Sequence, residues 1–324
     1  MADSKAAEKP RETAPAAAVE PVPEPAPLPP RWLTRASRRP FALLALLGLL
    51  LWLPGVLSLP ALDRDESRFA QSSRQMVESG NWVDIRFGQV PRYKKPVGIY
   101  WLQAGATELA GLVTGLDDQI WTYRLPSFLG GIAAAWLTVW CALAVTGAEA
   151  AFLSGLLMLG SVLLTAESTI ATTDAVLLAC ALGMQGVLLR LYRAARDDAL
   201  PKPSSRLVMW GWAAAAAGIL VKFPVVPGVG IATIIGVTAW DRKWPLQLDW
   251  LAALRPARGL VLTFLLVSPW LIAIAVQSQG AFFQQSLGND FAAKIAGGQE
   301  GHGGWPGYYL LLSAACFWPS ILFV

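Results

Sequence analysis

The chain has 324 residues, 55% of them hydrophobic and only 15% charged, with 15 tryptophans. Soluble domains carry about 25% charged residues, and this much apolar surface is hidden by a bilayer rather than by a water-facing fold, which excludes a cytosolic globular enzyme and a long disordered chain. The net charge of +4 is small and dispersed, which argues against nucleic acid as a partner, and Cys141, Cys180 and Cys316 each sit inside an apolar run, as small buried hydrophobes do.

In chain order, residues 1–38 read as a disordered Ala/Pro-rich tail, since the composition offers nothing to bury. Residues 39–324 read as one transmembrane module. Its apolar segments are 41–62, 97–116, 125–146, 150–166, 173–189, 207–221, 224–240, 259–276 and 306–324. Several reach the roughly 20 residues that cross hydrocarbon. The expected fold is all-α, a polytopic helical membrane protein. Arg31, Arg35, Arg38 and Arg39 put the N-terminus in the cytoplasm, as do the basic residues of 190–206 and 241–258 for those loops. Three apolar segments lie between Arg124 and Arg190, where two cytoplasmic ends require an even number of crossings; segment 150–166 is therefore expected to be short, broken or re-entrant. The chain stops inside the apolar run 317–324, which reads as truncation of something longer.

The loop 60–96 must lie outside, yet holds seven basic residues (Arg64, Arg68, Arg74, Arg86, Arg92, Lys94, Lys95) against five acidic ones. One explanation is that the cations bind an anion. Phe69, Ala70, Ser73, Met76 and Val77 share a helical face and Gly80 supplies a stop, so this stretch reads as a short amphipathic helix along the outer membrane surface. Asp65 lies near its N-terminal end, where the helix dipole favours an anion; Asp63, Asp65 and Glu66 are equally readable as capping acids. Lys94 and Lys95 stand before Pro96 and the interfacial pair Tyr100-Trp101. Lys95 is placed either to meet a lipid phosphate or to snorkel beside a helix end.

Further along, Asp174 opens an apolar run, as a functional carboxylate or an N-cap. Glu108 is flanked by apolar residues and is either structural or functional. Lys222 precedes Phe223-Pro224, as an interfacial anchor or a second phosphate cation. His302, the single histidine, stands in a glycine-rich outer loop that can approach a ligand; with Glu300 it offers at most two ligands to a metal.

Taken together, Asp65-Glu66-x-Arg68-Phe69, Ser79-Gly80-Asn81-Trp82-Val83, Tyr93-Lys94-Lys95-Pro96 with Tyr100-Trp101, Arg124-Leu125-Pro126-Ser127, Thr173-Asp174 and His302 with Tyr308-Tyr309 resemble the GT-C glycosyltransferases over about residues 38–312. The group is that of the lipid A aminoarabinose transferase and the dolichyl-phosphate-mannose protein mannosyltransferases. The resemblance implies transfer of a sugar from a polyprenyl-phosphate donor to a lipid, protein or glycan acceptor, in a bacterial inner membrane with the active site facing the periplasm. It implies Asp65 as the catalytic carboxylate, Asp174 as a second acid of the cavity, and Arg68 and Lys95 as contacts to the donor phosphate. Glu66, Lys94, Lys222 and His302 complete the expected substrate-binding set. The chain departs from the family at Phe69, where a tyrosine is common, at Lys94, often acidic, and at Phe223, usually glycine. No cofactor or essential metal is expected, since Arg68 and Lys95 already supply positive charge. A transporter or flippase of lipid-linked sugars is the alternative; it predicts inverted repeats and broken midplane helices, and the sequence has no repeat. A membrane scaffold without chemistry leaves the charged outer loop unexplained.

Overall fold

The computed structural model describes residues 29–116, 118–241, 249–286 and 307–323. Within them the chain runs α1 (Arg31–Ala36), α2 (Pro40–Ser58), α3 (Arg64–Ser79), a two-residue antiparallel hairpin β1 (Arg86–Phe87) and β2 (Val90–Pro91), then α4 (Gly98–Thr114), α5 (Ile120–Ala142), α6 (Ala148–Leu159), α7 (Val162–Thr169), α8 (Asp174–Ala194), α9 (Ser205–Lys222), α10 (Val225–Asp241), α11 (Pro256–Gln277), α12 (Ala281–Phe283) and α13 (Tyr308–Cys316). A 3-10 turn, Asp249–Leu254, precedes α11, and another, Ser320–Phe323, follows α13.

Among the described residues α2, α5, α8 and α11 are each long and apolar enough to cross a membrane. The expected irregularity in segment 150–166 is visible: α6 and α7 meet at a 59° bend. The break falls at Gly160-Ser161, where Ser161 takes an extended backbone conformation and its hydroxyl accepts from the Leu164 amide at 3.4 Å, capping the new helix. Large apolar side chains such as Leu50, Leu109, Phe264 and Leu310 face outward, as hydrocarbon-facing surfaces require.

Three apolar clusters hold the bundle. One gathers α2, α5, α6 and α7 around Trp52, whose ring meets Phe128 edge-on at 6.4 Å. A second joins α8, α9 and α10 through Met184, Val187, Ala215 and Val226. The third lies under α3 and the hairpin, where Phe69, Met76, Tyr93 and Tyr100 meet Trp270 and Ile274 of α11. This last cluster fixes the polar outer layer to the membrane bundle.

One sequence expectation needs correction here. The tail read as disordered to residue 38 becomes helical at Arg31–Ala36, where Leu33 is buried in the first cluster; residues 1–28 lie outside the described residues. In the last apolar segment α13 stops at Cys316 and a 3-10 turn follows, with Phe317-Trp318-Pro319 between. Proline has no amide to continue the ladder.

Candidate active site

Among the described residues, Asp65, Arg68 and the Asp174–Lys222 pair lie on the side of the bundle where α3 begins and α8 starts. Helix α3 buries Phe69, Ala70, Ser73 and Met76, and ends at Gly80, whose φ of 65° is the left-handed conformation that glycine adopts without strain. The following loop is pinned at several points. Asn81 Oδ1 accepts from the Val83 and Asp84 amides at 3.1 Å each, Trp101 Nε1 donates to the Trp82 carbonyl at 2.7 Å, and Gln75 bonds both polar groups of Gly88 in the hairpin turn. Tyr93 donates to Asp84 at 2.7 Å; burial first, and the Asp84 carboxylate second, push its hydroxyl up to about 12. Gly98 opens α4 with its Cα against the α9 backbone: a Cβ there would stand 2.8 Å from the Leu220 carbonyl carbon and oxygen. That approach brings the Lys94-Lys95 turn beside the C-terminal end of α9, which ends in Lys222.

Asp65 lies in the first turn of α3, half-exposed, between two guanidinium groups: Arg68 at 3.4 Å and Arg92 at 3.6 Å. Arg92 is 91% enclosed, sits over the Phe69 ring at 5.4 Å, and leaves its Nε without a partner among the described residues. It also interacts with the fully buried Tyr100 hydroxyl. Buried donors without partners are rare in folded proteins, and the Arg92 Nε is one beside a carboxylate. The second pair is Asp174 with Lys222, 2.6 Å apart and partly exposed. Glu167 interacts electrostatically with Asp174, Lys222 and Asp63, and accepts from the Thr172 hydroxyl at 2.6 Å. Lys94 is exposed and Lys95 half-buried in the turn before α4.

Glu66, expected to contact substrate, is a correction. It is fully buried and forms a bidentate pair with Arg124, Nε to Oε1 at 2.7 Å and Nη2 to Oε2 at 3.2 Å. Its remaining acceptor capacity takes the Leu62 and Ala171 amides at 3.2 and 2.9 Å. Arg124 spends its other hydrogens on the carbonyls of Val56, Leu59 and Pro60, which the end of α2 leaves open. One buried node therefore ties α2, α3, α5 and the strand of chain entering α8. Asp65 directly precedes Glu66 of this node, and Thr172-Thr173-Asp174 directly follows Ala171 of it. Ser127 secures the same stretch, donating to the Thr172 carbonyl at 3.0 Å.

His302 and Glu300 lie outside the described residues. Glu108 is exposed and lines a separate cavity of 640 Å³ with Arg74, Glu78, Asp118 and Tyr123. Among the described residues, no three His, Cys, Asp or Glu side chains converge as a metal site. The sequence reading quoted Arg124 within a motif and Arg92 among the loop cations but gave neither a role, and it did not name Glu167. Arg92 carried a signal, as a cation between Pro91 and the Tyr93-Lys94-Lys95-Pro96 motif; Glu167 carried one too, as a carboxylate at the end of an apolar run.

Residues 94–273 match the model of the dolichyl-phosphate-mannose-protein mannosyltransferase family. The undecaprenyl phosphate-alpha-4-amino-4-deoxy-L-arabinose arabinosyl transferase of Aeromonas salmonicida is 27% identical over 216 residues, covering 66% of this chain and 37% of that protein. Its namesake from Erwinia tasmaniensis is 26% identical over 261 residues, covering 80% and 44%. The crystal structure of ArnT from Cupriavidus metallidurans bound to undecaprenyl phosphate superposes with a TM-score of 0.76 at 23% identity, over 87% of this chain and 49% of that one. The apo form gives 0.73 at 24% identity over the same shares. That likeness shows the polytopic GT-C-type fold. The chain spans less than half the length of these relatives.

Proposed function

The chain belongs to the dolichyl-phosphate-mannose-protein mannosyltransferase family, whose model matches more than half of it, and from that premise we propose that it is a membrane glycosyltransferase working from a polyprenyl-phosphate sugar. The donor class follows the relatives, which are named for an undecaprenyl-phosphate-linked aminoarabinose. The acceptor proposed is a lipid rather than a protein or a glycan. The periplasmic side of an inner membrane is favoured because Arg193, Arg196, Arg206 and Arg255 gather at the end of the bundle away from Asp65, as the positive-inside rule requires of cytoplasmic ends.

The observation that carries the reading is Asp65 held between Arg68 and Arg92. An acceptor hydroxyl gives its proton to Asp65 as its oxygen bonds the anomeric carbon. The bond from that carbon to the phosphate oxygen breaks, and the lipid phosphate leaves with the electron pair. Arg68, Lys95 and the enclosed Arg92 stabilise the developing charge where water is partly excluded. One displacement inverts the sugar without a covalent enzyme intermediate. Asp174, Lys222 and Glu167 form the neighbouring wall, where a carboxylate can orient sugar hydroxyls; Lys94 and His302 belong to the same proposed set of substrate contacts.

The test is transfer from labelled undecaprenyl-phosphate sugars by the full-length protein in liposomes. Asp65→Asn is expected to lower turnover by about 10²–10⁴-fold, the usual contribution of a positioned base, while donor binding persists. Full turnover in that variant overturns the assignment.

A further inference from the structure

Trp210 is 74% exposed on α9 and stands between two apolar grooves. One, of about 620 Å³, runs between α5, α8 and α9 past Trp136, Trp140 and Leu207. The other, of about 370 Å³, runs between α9 and α11 past Met209 and Leu262, and has Ser205 and Arg206 at its polar end. Arg255 donates to the Ser205 hydroxyl at 2.6 Å, so two exposed guanidinium groups flank that end. Arg206 has no hydrogen bond or ion pair among the described residues.

Position along α9 separates this feature from the candidate active site. Arg206 and Lys222 lie on the same helix, about 24 Å apart at a rise of about 1.5 Å per residue. That approaches the roughly 30 Å thickness of the hydrocarbon layer. The arginines therefore sit at the opposite interface from Asp174 and Asp65, with Trp210 about one turn further in, at the depth where interfacial tryptophans lie.

We infer that this face binds one anionic diacyl phospholipid of the inner leaflet, its phosphate against Arg206 and Arg255 and one acyl chain in each groove astride Trp210. Charge decides the occupant: a zwitterionic lipid fills the same grooves but gains nothing net from two cations, whereas an anionic headgroup gains from both. Trp210 lines both grooves, and Leu207 of the first follows Arg206 of the second in the chain, so two apolar channels lie beside one cationic end and match a two-chain lipid better than a single-chain polyprenyl phosphate. The inference rests on the membrane embedding of the bundle and on the proposed cytoplasmic placing of Arg206 and Arg255, and stands apart from the proposed sugar transfer.

The experiment is native mass spectrometry of the full chain released from detergent micelles, titrated with phosphatidylglycerol and separately with phosphatidylcholine. Phosphatidylglycerol is expected to bind more tightly as a single defined adduct. Arg206→Gln and Arg255→Gln are each expected to weaken it about fivefold, and together about 25-fold, with phosphatidylcholine unaffected. Trp210→Ala is expected to weaken both lipids. Equal binding of the two lipids, or unchanged phosphatidylglycerol binding in the double variant, overturns the inference. So does one-for-one displacement by undecaprenyl phosphate, which assigns the grooves to a polyprenyl chain, or by inorganic phosphate, which assigns the arginines to a free anion. Thermal unfolding of each variant at the wild-type temperature establishes that the fold is intact.

Discussion

Replacing Arg124 by methionine tests the buried node that the sequence did not announce. The guanidinium makes two bonds to Glu66 and one each to the Val56, Leu59 and Pro60 carbonyls, all between 2.7 and 3.2 Å, and neither charged partner has any exposed surface. Methionine fills most of the volume but leaves a carboxylate enclosed without its counter-charge. Removing one partner of a buried pair costs about 3–5 kcal/mol. With an unfolding entropy of about 2.1 cal/mol/K per residue, the 324 residues of this chain give about 1.5 °C per kcal/mol, so Tm should fall by roughly 4–8 °C. The assay is thermal unfolding in detergent, followed by intrinsic tryptophan fluorescence. Adding Glu66→Gln neutralises the stranded charge while its side-chain carbonyl still accepts from Ala171, so the double variant should recover about 1–3 kcal/mol, the coupling typical of contacting residues. Wild-type Tm in Arg124→Met, or no recovery in the double variant, would refute the argument that an enclosed ion pair organises this end of the bundle.

The Asp174–Lys222 pair is partly exposed, so Lys222→Met should alter stability by less than about 1 kcal/mol; if the pair serves catalysis, sugar transfer falls about 100-fold at unchanged Tm, and unchanged transfer removes it from the site. Gly98→Ala places a methyl 2.8 Å from the α9 backbone, and the forced separation should cost about 1–3 kcal/mol, read as a lower Tm. Tyr93→Phe loses the bond to Asp84, about 1 kcal/mol at neutral pH. Because the folded-state value of Tyr93 is raised to about 12 from an ordinary 10, that contribution is complete below pH 10 and lost as pH rises through 12. The stability gap between the two proteins should therefore close over that window, and a gap independent of pH would disprove the coupling.

Much of the architecture was legible because one period governs it. Apolar runs announced the spanning helices within a few residues, and the spacing of Phe69, Ala70, Ser73 and Met76 announced α3 with the face it buries. The parity of basic loops pointed to the break that lies at Gly160-Ser161. Side-chain roles at the site were less legible. Asp63, Asp65 and Glu66 look alike in the sequence, and what separates them is distant in it: Glu66 is buried by Arg124, 58 positions on, and by Ala171, 105 positions on. Arg92 was one cation among seven in its loop, and only the Phe69 ring and the Tyr100 hydroxyl set it apart. The Ala/Pro-rich composition hid α1, because a single leucine finding a pocket is a tertiary event.

The node at Glu66 also limits how the chain can vary. Surface connections ordinarily absorb extra residues, and the stretch around the β-hairpin has room to do so. The turn from Leu59 to Asp65 does not. Its two ends are clamped by one guanidinium, and α3 advances about 100° per residue, so a single inserted residue would swing Glu66 off Arg124 and carry Asp65, together with Arg68 on the same helix, away from Arg92. Length in this turn is as much a part of the site as the identity of its aspartate.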